Sequence, residues 1–126
     1  MRPETELVVN RIKETLDAKK GIDIMSIDIS EMTILAECFV VASGATALHA
    51  RALADAVYEM RQEEDGIKPV REEGYEQGHW IVLDYGDVMV HLFRQEEREF
   101  YNLERLWLQE QNFTFRADSP DEVPTV

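Results

Sequence analysis

A short, continuously apolar segment constrains the fold of this chain most. Residues 37–43 are Glu-Cys-Phe-Val-Val-Ala-Ser, and Gly44 then interrupts the chain. A strand without polar alternation is typical of a central strand that is buried on both faces, as in a sheet flanked by helices. The sequence therefore predicts a sheet with helices packed against it, and the other elements are arranged around this strand.

Apolar spacing and turn residues predict the remaining elements. In chain order, the sequence predicts a helix that begins near Pro3, strands at 22–29 and 37–43, a helix from Thr46 to about Asp65, a strand at 67–73, a hairpin at 79–93 and a helix at about 95–109. Pro69 indicates that the third strand lies at an edge, and the irregular alternation in 22–29 indicates either a bulge or a late end of that strand. The predicted class is α/β (α+β): a mixed five-stranded sheet flanked by helices, in the order αββαβββα.

The helices carry apolar stripes that should face the sheet. The residues assigned to these stripes are Leu7, Val8, Ile12 and Leu16 in the first helix, Leu48, Leu53, Ala56, Val57 and Met60 in the second, and Phe100, Leu103, Leu106 and Trp107 in the last. We expect one domain over residues 1–109, followed by a C-terminal tail at 110–126 that frays.

Net charge limits the possible partners. The 126 residues include 13 Lys and Arg and 26 Asp and Glu, which gives a formal charge of −13 at pH 7. A reader of the nucleic-acid backbone needs a basic face, and anionic membranes would repel this chain as well. A basic protein partner fits best, because complementary charge speeds encounter and sets orientation. With a single cysteine, Cys38, and no visible targeting segment, a cytosolic setting is expected.

Motifs for catalysis are weak. Gly44-Ala45-Thr46 precedes a helix, as in a phosphate-binding loop, but further glycines and a Lys-Ser/Thr pair are missing, so a helix cap is the favoured interpretation. The acids at 23 and 28 and at 84 and 87 do not form a metal-binding pair, and the three histidines lack metal-ligand spacing. We expect no catalytic residues, no metal and no cofactor.

The region around the hairpin is richer. Glu73-Gly74-Tyr75, His79-Trp80 and Asp84-Tyr85-Gly86-Asp87 all lie in or beside it. On strand 79–84, Trp80 shares a face with Val82 and Asp84, opposite the apolar residues that serve the core. Aromatic groups beside carboxylates are typical of protein-binding hot spots. Two interpretations of Trp80 stay open: a docking residue, or a residue that packs under a helix on the second face.

Two adjacent blocks carry a family resemblance. Residues 84–93, followed by residues 98–107, closely resemble the ribosomal silencing factor family, also called the Iojap family. The resemblance extends upstream through Glu73-Gly74-Tyr75, His79-Trp80 and residues 39–44, and covers about residues 5–108. The chain departs from the family pattern at Ala36-Glu37-Cys38, at Ala45-Thr46 and at Asn102, so a role for Glu37 stays open.

The resemblance implies a binding factor without chemistry. Family members attach to the large ribosomal subunit through its fourteenth protein, a basic protein on the face that meets the small subunit, and thereby block subunit joining and repress translation. It further implies a nucleotidyltransferase-like fold without the catalytic carboxylates, and a homodimer when free. Two alternatives are an assembly factor for the large subunit and a nucleotide-binding or nucleotidyltransferase-like enzyme.

These inferences combine into a hypothesis for the docking surface. We expect the partner to contact Glu73, Tyr75, Trp80, Asp84, Tyr85 and Asp87. Trp80 and Tyr85 would supply apolar area, and the acids would pair with Lys or Arg of the partner. Support for this surface is expected from His91 and from polar residues that hold the last helix to the sheet: Arg98, Tyr101 and Glu104.

Overall fold

The computed structural model describes residues 1–101, with side chains described for residues 1–98. The elements are α1 (Pro3–Ala18), β1 (Ile22–Asp28), β2 (Cys38–Gly44), α2 (Ala47–Asp65), β3 (Arg71–Glu73), β4 (Trp80–Asp84), β5 (Val88–Arg94) and α3 (Gln95–Tyr101). This confirms the predicted order αββαβββα. The rest of the predicted last helix and the predicted tail at 110–126 lie outside the described residues.

The strands form a mixed five-stranded sheet in the order β1-β2-β5-β4-β3, which confirms the predicted fold class. Strands β2 and β5 pair in parallel, and every other neighbouring pair is antiparallel. All seven residues of β2 are buried, as its continuous apolar run predicted. The edge position of β3 and the bulge in β1 are also confirmed: the register of β1 shifts between Ile22 and Met25, and Asp23 has a φ of 49°.

Helices α1 and α2 cover the first face of the sheet, where the larger apolar cluster lies. From the helices this cluster takes Val9, Ile12, Leu16, Ala50, Leu53, Ala54, Val57 and Met60. Two of the predicted stripe residues, Leu7 and Leu48, are instead exposed. Leu48 precedes Leu53 by five positions, which turns it about 140° away from that residue around the helix.

A second apolar cluster lies on the other face of the sheet. It contains the buried residues Ile27, Ile29, Ala36, Phe39, Val41 and Phe93, with Met25, Trp80 and Met89 packed against them. The strand register explains this composition, because cross-strand partners share a face: Phe39 lies beside Met89, and Trp80 lies beside Phe93. The chain between β1 and β2 closes over one end of this face with Ile29 and Ala36.

Candidate partner-binding site

The hairpin turn between β4 and β5 holds three of the predicted docking residues. Gly86 has a φ of 88°, as predicted for the turn, and its N–H donates to Asp84 Oδ1 at 2.8 Å. Asp87 is partly exposed, and its carboxylate lies 3.8 Å from the Arg2 guanidinium. The turn therefore presents two carboxylates, one of which is engaged by its own backbone.

The structure contradicts the predicted docking role of Tyr85. This residue is only 7% exposed and belongs to the helix-covered cluster, where the Arg61 guanidinium lies 4.8 Å from the centre of its ring. The reason is strand alternation: every second side chain points to the same face, so Tyr85 shares the helix-covered face with Ile81 and Leu83. Burial raises the pKa of Tyr85 to about 12, so its hydroxyl stays protonated.

Glu73 and Tyr75 flank a glycine that lets the chain leave the sheet. Gly74 has a φ of 78°, and a Cβ there would clash with the Trp80 carbonyl oxygen, so only glycine fits. Beyond it, the Tyr75 hydroxyl donates to the Asp55 carboxylate on α2 at 2.9 Å. Tyr75 therefore lies on the α2 side of the sheet, while Glu73 is exposed on β3.

Trp80 is half-buried on the second face. Its ring stacks on Phe93 with 5.1 Å between centroids, and its Nε1 donates to His91 Nδ1 at 3.1 Å. His91 is buried and also meets Phe39 edge-on at 4.5 Å. These contacts agree with the interpretation of Trp80 as a packed residue, and the partners in them are the strand residues Phe93 and His91.

The imidazole of His91 is held neutral. Burial lowers its pKa from 6.5 to about 4, and the nearby Asp84 opposes this only partly. Because Nδ1 accepts a hydrogen bond from Trp80, the ring proton lies on Nε2. His91 thus accepts the hydrogen bond that orients Trp80, and its expected support of a docking surface stays a prediction.

The six predicted docking residues do not form one surface. Trp80 and Asp84 share the second face through strand alternation, and Glu73 joins them because it lies opposite Val82 in the register. Tyr75 and Tyr85 lie on the helix-covered side, and Asp87 lies past the turn. Glu73 is exposed, whereas Asp84 and Asp87 are partly exposed. Asp84 lies 3.6 Å from Arg71, and Asp87 lies 3.8 Å from Arg2. Of the two expected aromatic anchors, Trp80 and Tyr85, Tyr85 is buried.

Arg98, which we expect to hold the last helix to the sheet, lies between α3 and the strands. It is 6% exposed, and its guanidinium donates to Ser43 Oγ and to the Asp23 carbonyl, each at 2.7 Å. It therefore ties α3 to β2 and to the bulge in β1. The side chain of Tyr101 and the whole of Glu104 lie outside the described residues.

Glu37, whose role the sequence left open, connects β2 to the start of α1. Its carboxylate accepts from the Arg2 N–H and Nε, both at 2.9 Å, and from the Thr5 hydroxyl at 3.2 Å. The Arg2 backbone bond is the main cause that lowers the pKa of Glu37. Sequence reasoning missed this contact, because its partners lie more than 30 positions away.

A further feature that sequence reasoning missed is a groove beside the hairpin turn. The residues that line it are Ser30, Thr33, Ile34, Leu35, Ala36, Glu37, Gly86 and Asp87. Ile34 is fully exposed and Leu35 is 79% exposed. The sequence signal for it is the adjacent Ile34-Leu35 pair in the segment between β1 and β2.

The motifs considered for catalysis have structural explanations. The Thr46 hydroxyl accepts from the His49 N–H at 3.1 Å, which confirms the predicted helix cap. Cys38 is buried, and burial raises its pKa to about 11, so the reactive thiolate is disfavoured. Within residues 1–98, no three His, Cys, Asp or Glu side chains are grouped so that they could hold a metal ion. None of the helices in the described part of the chain is long and apolar enough to cross a bilayer.

Comparison with known proteins identifies the family. The family model described as "Ribosomal silencing factor during starvation" matches residues 2–125. The Ribosomal silencing factor RsfS of Halalkalibacterium halodurans is 36% identical over 102 residues, which are 81% of this chain and 83% of that protein.

Two further relatives add to the comparison. A crystal structure from Chromobacterium violaceum superposes with a TM-score of 0.76 at 35% identity, and the match covers 81% of this chain and 84% of that one. A mouse protein named "Mitochondrial assembly of ribosomal large subunit protein 1" is 28% identical over 101 residues, 79% of this chain and 44% of its own length. The predicted likeness to nucleotidyltransferases stays a prediction. Because a family model matches nearly the whole chain, this protein belongs to the ribosomal silencing factor family.

Proposed function

We propose that this protein binds the fourteenth protein of the large ribosomal subunit, on the face that meets the small subunit, and blocks subunit joining. Translation is repressed because the bound domain occupies space that the small subunit needs. The mechanism is steric and involves no chemical step. Membership in the ribosomal silencing factor family is the observation that carries the proposal.

The charge of the chain supports a basic protein as the direct contact. Ribosomal RNA is a polyanion, so a domain with a formal charge of −13 is repelled by bare RNA and attracted to an exposed basic protein. The protein would then select its binding site by attraction to the basic protein together with repulsion from the surrounding RNA. An interface of standard size, about 800 Å² on each partner, is a substantial share of so small a domain.

We propose that the docking surface includes the exposed Glu73 and the partly exposed Asp84 and Asp87, with Trp80 beside them. Tyr85 is omitted because it is buried. Tyr75 is 41% exposed and stays a candidate at the margin of this surface. We also propose that the free protein forms a homodimer and acts in the cytoplasm, where the ribosomes it silences would lie.

Sedimentation of purified ribosomal subunits tests the proposed function. Large and small subunits are mixed at a magnesium concentration that favours joining, with and without saturating protein. We expect the joined ribosome peak to decline and the protein to travel with the large subunit. Unchanged joining at saturation would refute the proposal. As a control, adding the protein to preformed ribosomes separates blocked joining from active splitting.

A second candidate function is assembly of the large subunit, because the mouse relative carries that name. In that case, binding would stabilise a maturing particle, and blocked joining would be a consequence. Ribosome profiles of a deletion strain separate the two functions. Accumulated large-subunit precursors favour assembly, whereas normal particles with unrestrained translation during starvation favour silencing.

A further inference from the structure

Two neighbouring aliphatic side chains stand out on the surface of the described residues. Ile34 is 102% exposed and Leu35 is 79% exposed, while the next residue, Ala36, is buried in the second cluster. Single exposed apolar residues are ordinary in soluble proteins and need no explanation. An adjacent pair that lines a groove is different, because covering both side chains would stabilise a complex considerably.

The loop that carries this pair is fixed at both ends. Ile29 and Ala36 are buried, and the Ile29 N–H donates to the Glu37 carbonyl at 2.9 Å. Between them, the Leu35 N–H donates to Thr33 Oγ1 at 3.0 Å. The loop therefore holds the pair facing outward in the free protein. A partner that covers the pair then loses little binding free energy to ordering the loop.

The charges around the groove select the class of partner. Glu37 and Asp87 line it, and Glu31 is exposed in the same loop. Arg2 lies 2.9 Å from Glu37 and 3.8 Å from Asp87. This one cation offsets one of the three carboxylates, so the groove and its loop keep a net negative charge. A groove that combines aliphatic side chains with acids complements a basic segment that also carries an apolar side chain.

We infer that the Ile34–Leu35 groove is the apolar half of the docking surface and receives a basic, apolar-containing segment of the ribosomal protein partner. This rests on the proposed function and deepens it. The sequence assigned the apolar contact near Asp87 to Tyr85, which is buried, and Ile34 and Leu35 lie beside Asp87 in its place. A second copy of the chain is a poorer occupant, because each copy carries −13 and would bring further acids to an acidic groove.

The test uses the full-length protein with Ile34→Ser and Leu35→Ser combined, titrated onto purified large ribosomal subunits. We expect binding at least about 30-fold weaker than that of the parent, since apolar hot-spot contacts are lost. The matched control is Leu48→Ser, which also removes an exposed leucine but lies beyond the other end of β2. The control should bind within about twofold of the parent, as expected for a site outside the interface.

Folding and charge are measured in parallel. All variants should unfold within about 2 °C of the parent, because the replaced side chains are exposed. Glu31→Gln should weaken binding by about two- to fivefold and reduce its salt dependence, as expected for a charge at the rim of an interface.

The outcomes separate this inference from the proposed function. If the parent binds and the double variant binds equally well, the inference is overturned and the proposed function stands. Equal binding together with a change from dimer to monomer would assign the groove to a second copy and overturn the inference as well. Failure of the parent to bind large subunits would refute the proposed function and the inference with it.

Discussion

The two faces of the sheet are built differently. The face under α1 and α2 is covered by a continuous apolar cluster, to which the helices contribute small and aliphatic side chains. The second face is rich in aromatic rings and includes a buried imidazole that is hydrogen-bonded to an indole. The first face depends mainly on hydrophobic burial, with the buried Arg61 beside Tyr85 as a polar contact, whereas the second combines burial with a hydrogen bond between ring systems. Experiments that separate volume from polarity should therefore affect the two faces differently.

The largest effect is expected on the helix-covered face. Leu53→Ala should lower the free energy of unfolding by about 4 kcal/mol, because the side chain is fully buried and its removal leaves a cavity. Leu48→Ala on the same helix should cost less than about 0.5 kcal/mol, since that leucine is 71% exposed. Urea denaturation of both variants measures the difference. Similar losses would contradict the assigned helix orientation.

Trp80→Ala should lower the free energy of unfolding by about 3 kcal/mol, because the indole stacks on Phe93 and bonds His91. Denaturant titration measures this cost. Binding to large subunits is then measured where the variant is fully folded. A loss of at least about 30-fold assigns Trp80 to the docking surface as well, whereas unchanged binding restricts it to packing.

Acid should weaken the second face through His91. The unfolded imidazole takes up a proton below pH 6.5, but the folded one stays neutral down to about pH 4. Protonation therefore favours the unfolded chain, and stability that is complete above pH 6.5 falls by about 3 kcal/mol as the pH drops to 4.

The replacement His91→Gln isolates this contribution, because glutamine offers an acceptor to Trp80 without titrating. The difference in unfolding free energy between parent and variant should shrink or reverse from pH 7 to pH 4. A constant difference over that range would contradict the neutral, buried imidazole. Asp and Glu titration affects both proteins and cancels in the comparison.

The smallest effect concerns the contact between α3 and the sheet. Ser43→Ala removes the buried hydroxyl that accepts from the Arg98 guanidinium at 2.7 Å. We expect a loss of about 2 kcal/mol, typical of a hydrogen bond to a charged group. Thermal unfolding measures the loss, and Ser30→Ala, which removes a hydroxyl that donates to the exposed Asp28 carboxylate at 2.6 Å, serves as the comparison for a hydrogen bond near the surface. An equal change in both variants would show that the buried Arg98 contact adds nothing beyond a surface hydrogen bond.

The sequence predicted the element order well, because each signal is local. The apolar run of β2, the Thr46 cap and Gly86 in the turn each act within a few residues. Even the burial of Tyr85 was available from alternation along β4, had that alternation been continued one residue past the strand. Tyr85 was assigned to the docking surface because it is aromatic and near acids, although its position in the strand alternation indicates burial.

Other features were beyond sequence reasoning for physical reasons. Which side of an amphipathic helix meets the sheet depends on packing, so Leu7 and Leu48 were assigned inward although both are exposed. The bond between Arg2 and Glu37 joins residues 35 positions apart. The exposure of Ile34 and Leu35 depends on a loop conformation that no periodicity describes.

The parallel pairing of β2 with β5 has a consequence for synthesis of the protein. Cys38 aligns with Val88, so about 50 residues separate the two strands in the chain. A growing polypeptide can pair β2 with β1, but it leaves the other edge of β2 without its parallel neighbour until β5 has left the exit tunnel. The sheet is complete only after β5 has been made, which favours chaperone contact or aggregation in the interval before that. The central strand of this protein therefore gains its parallel neighbour only after β5 has been synthesised.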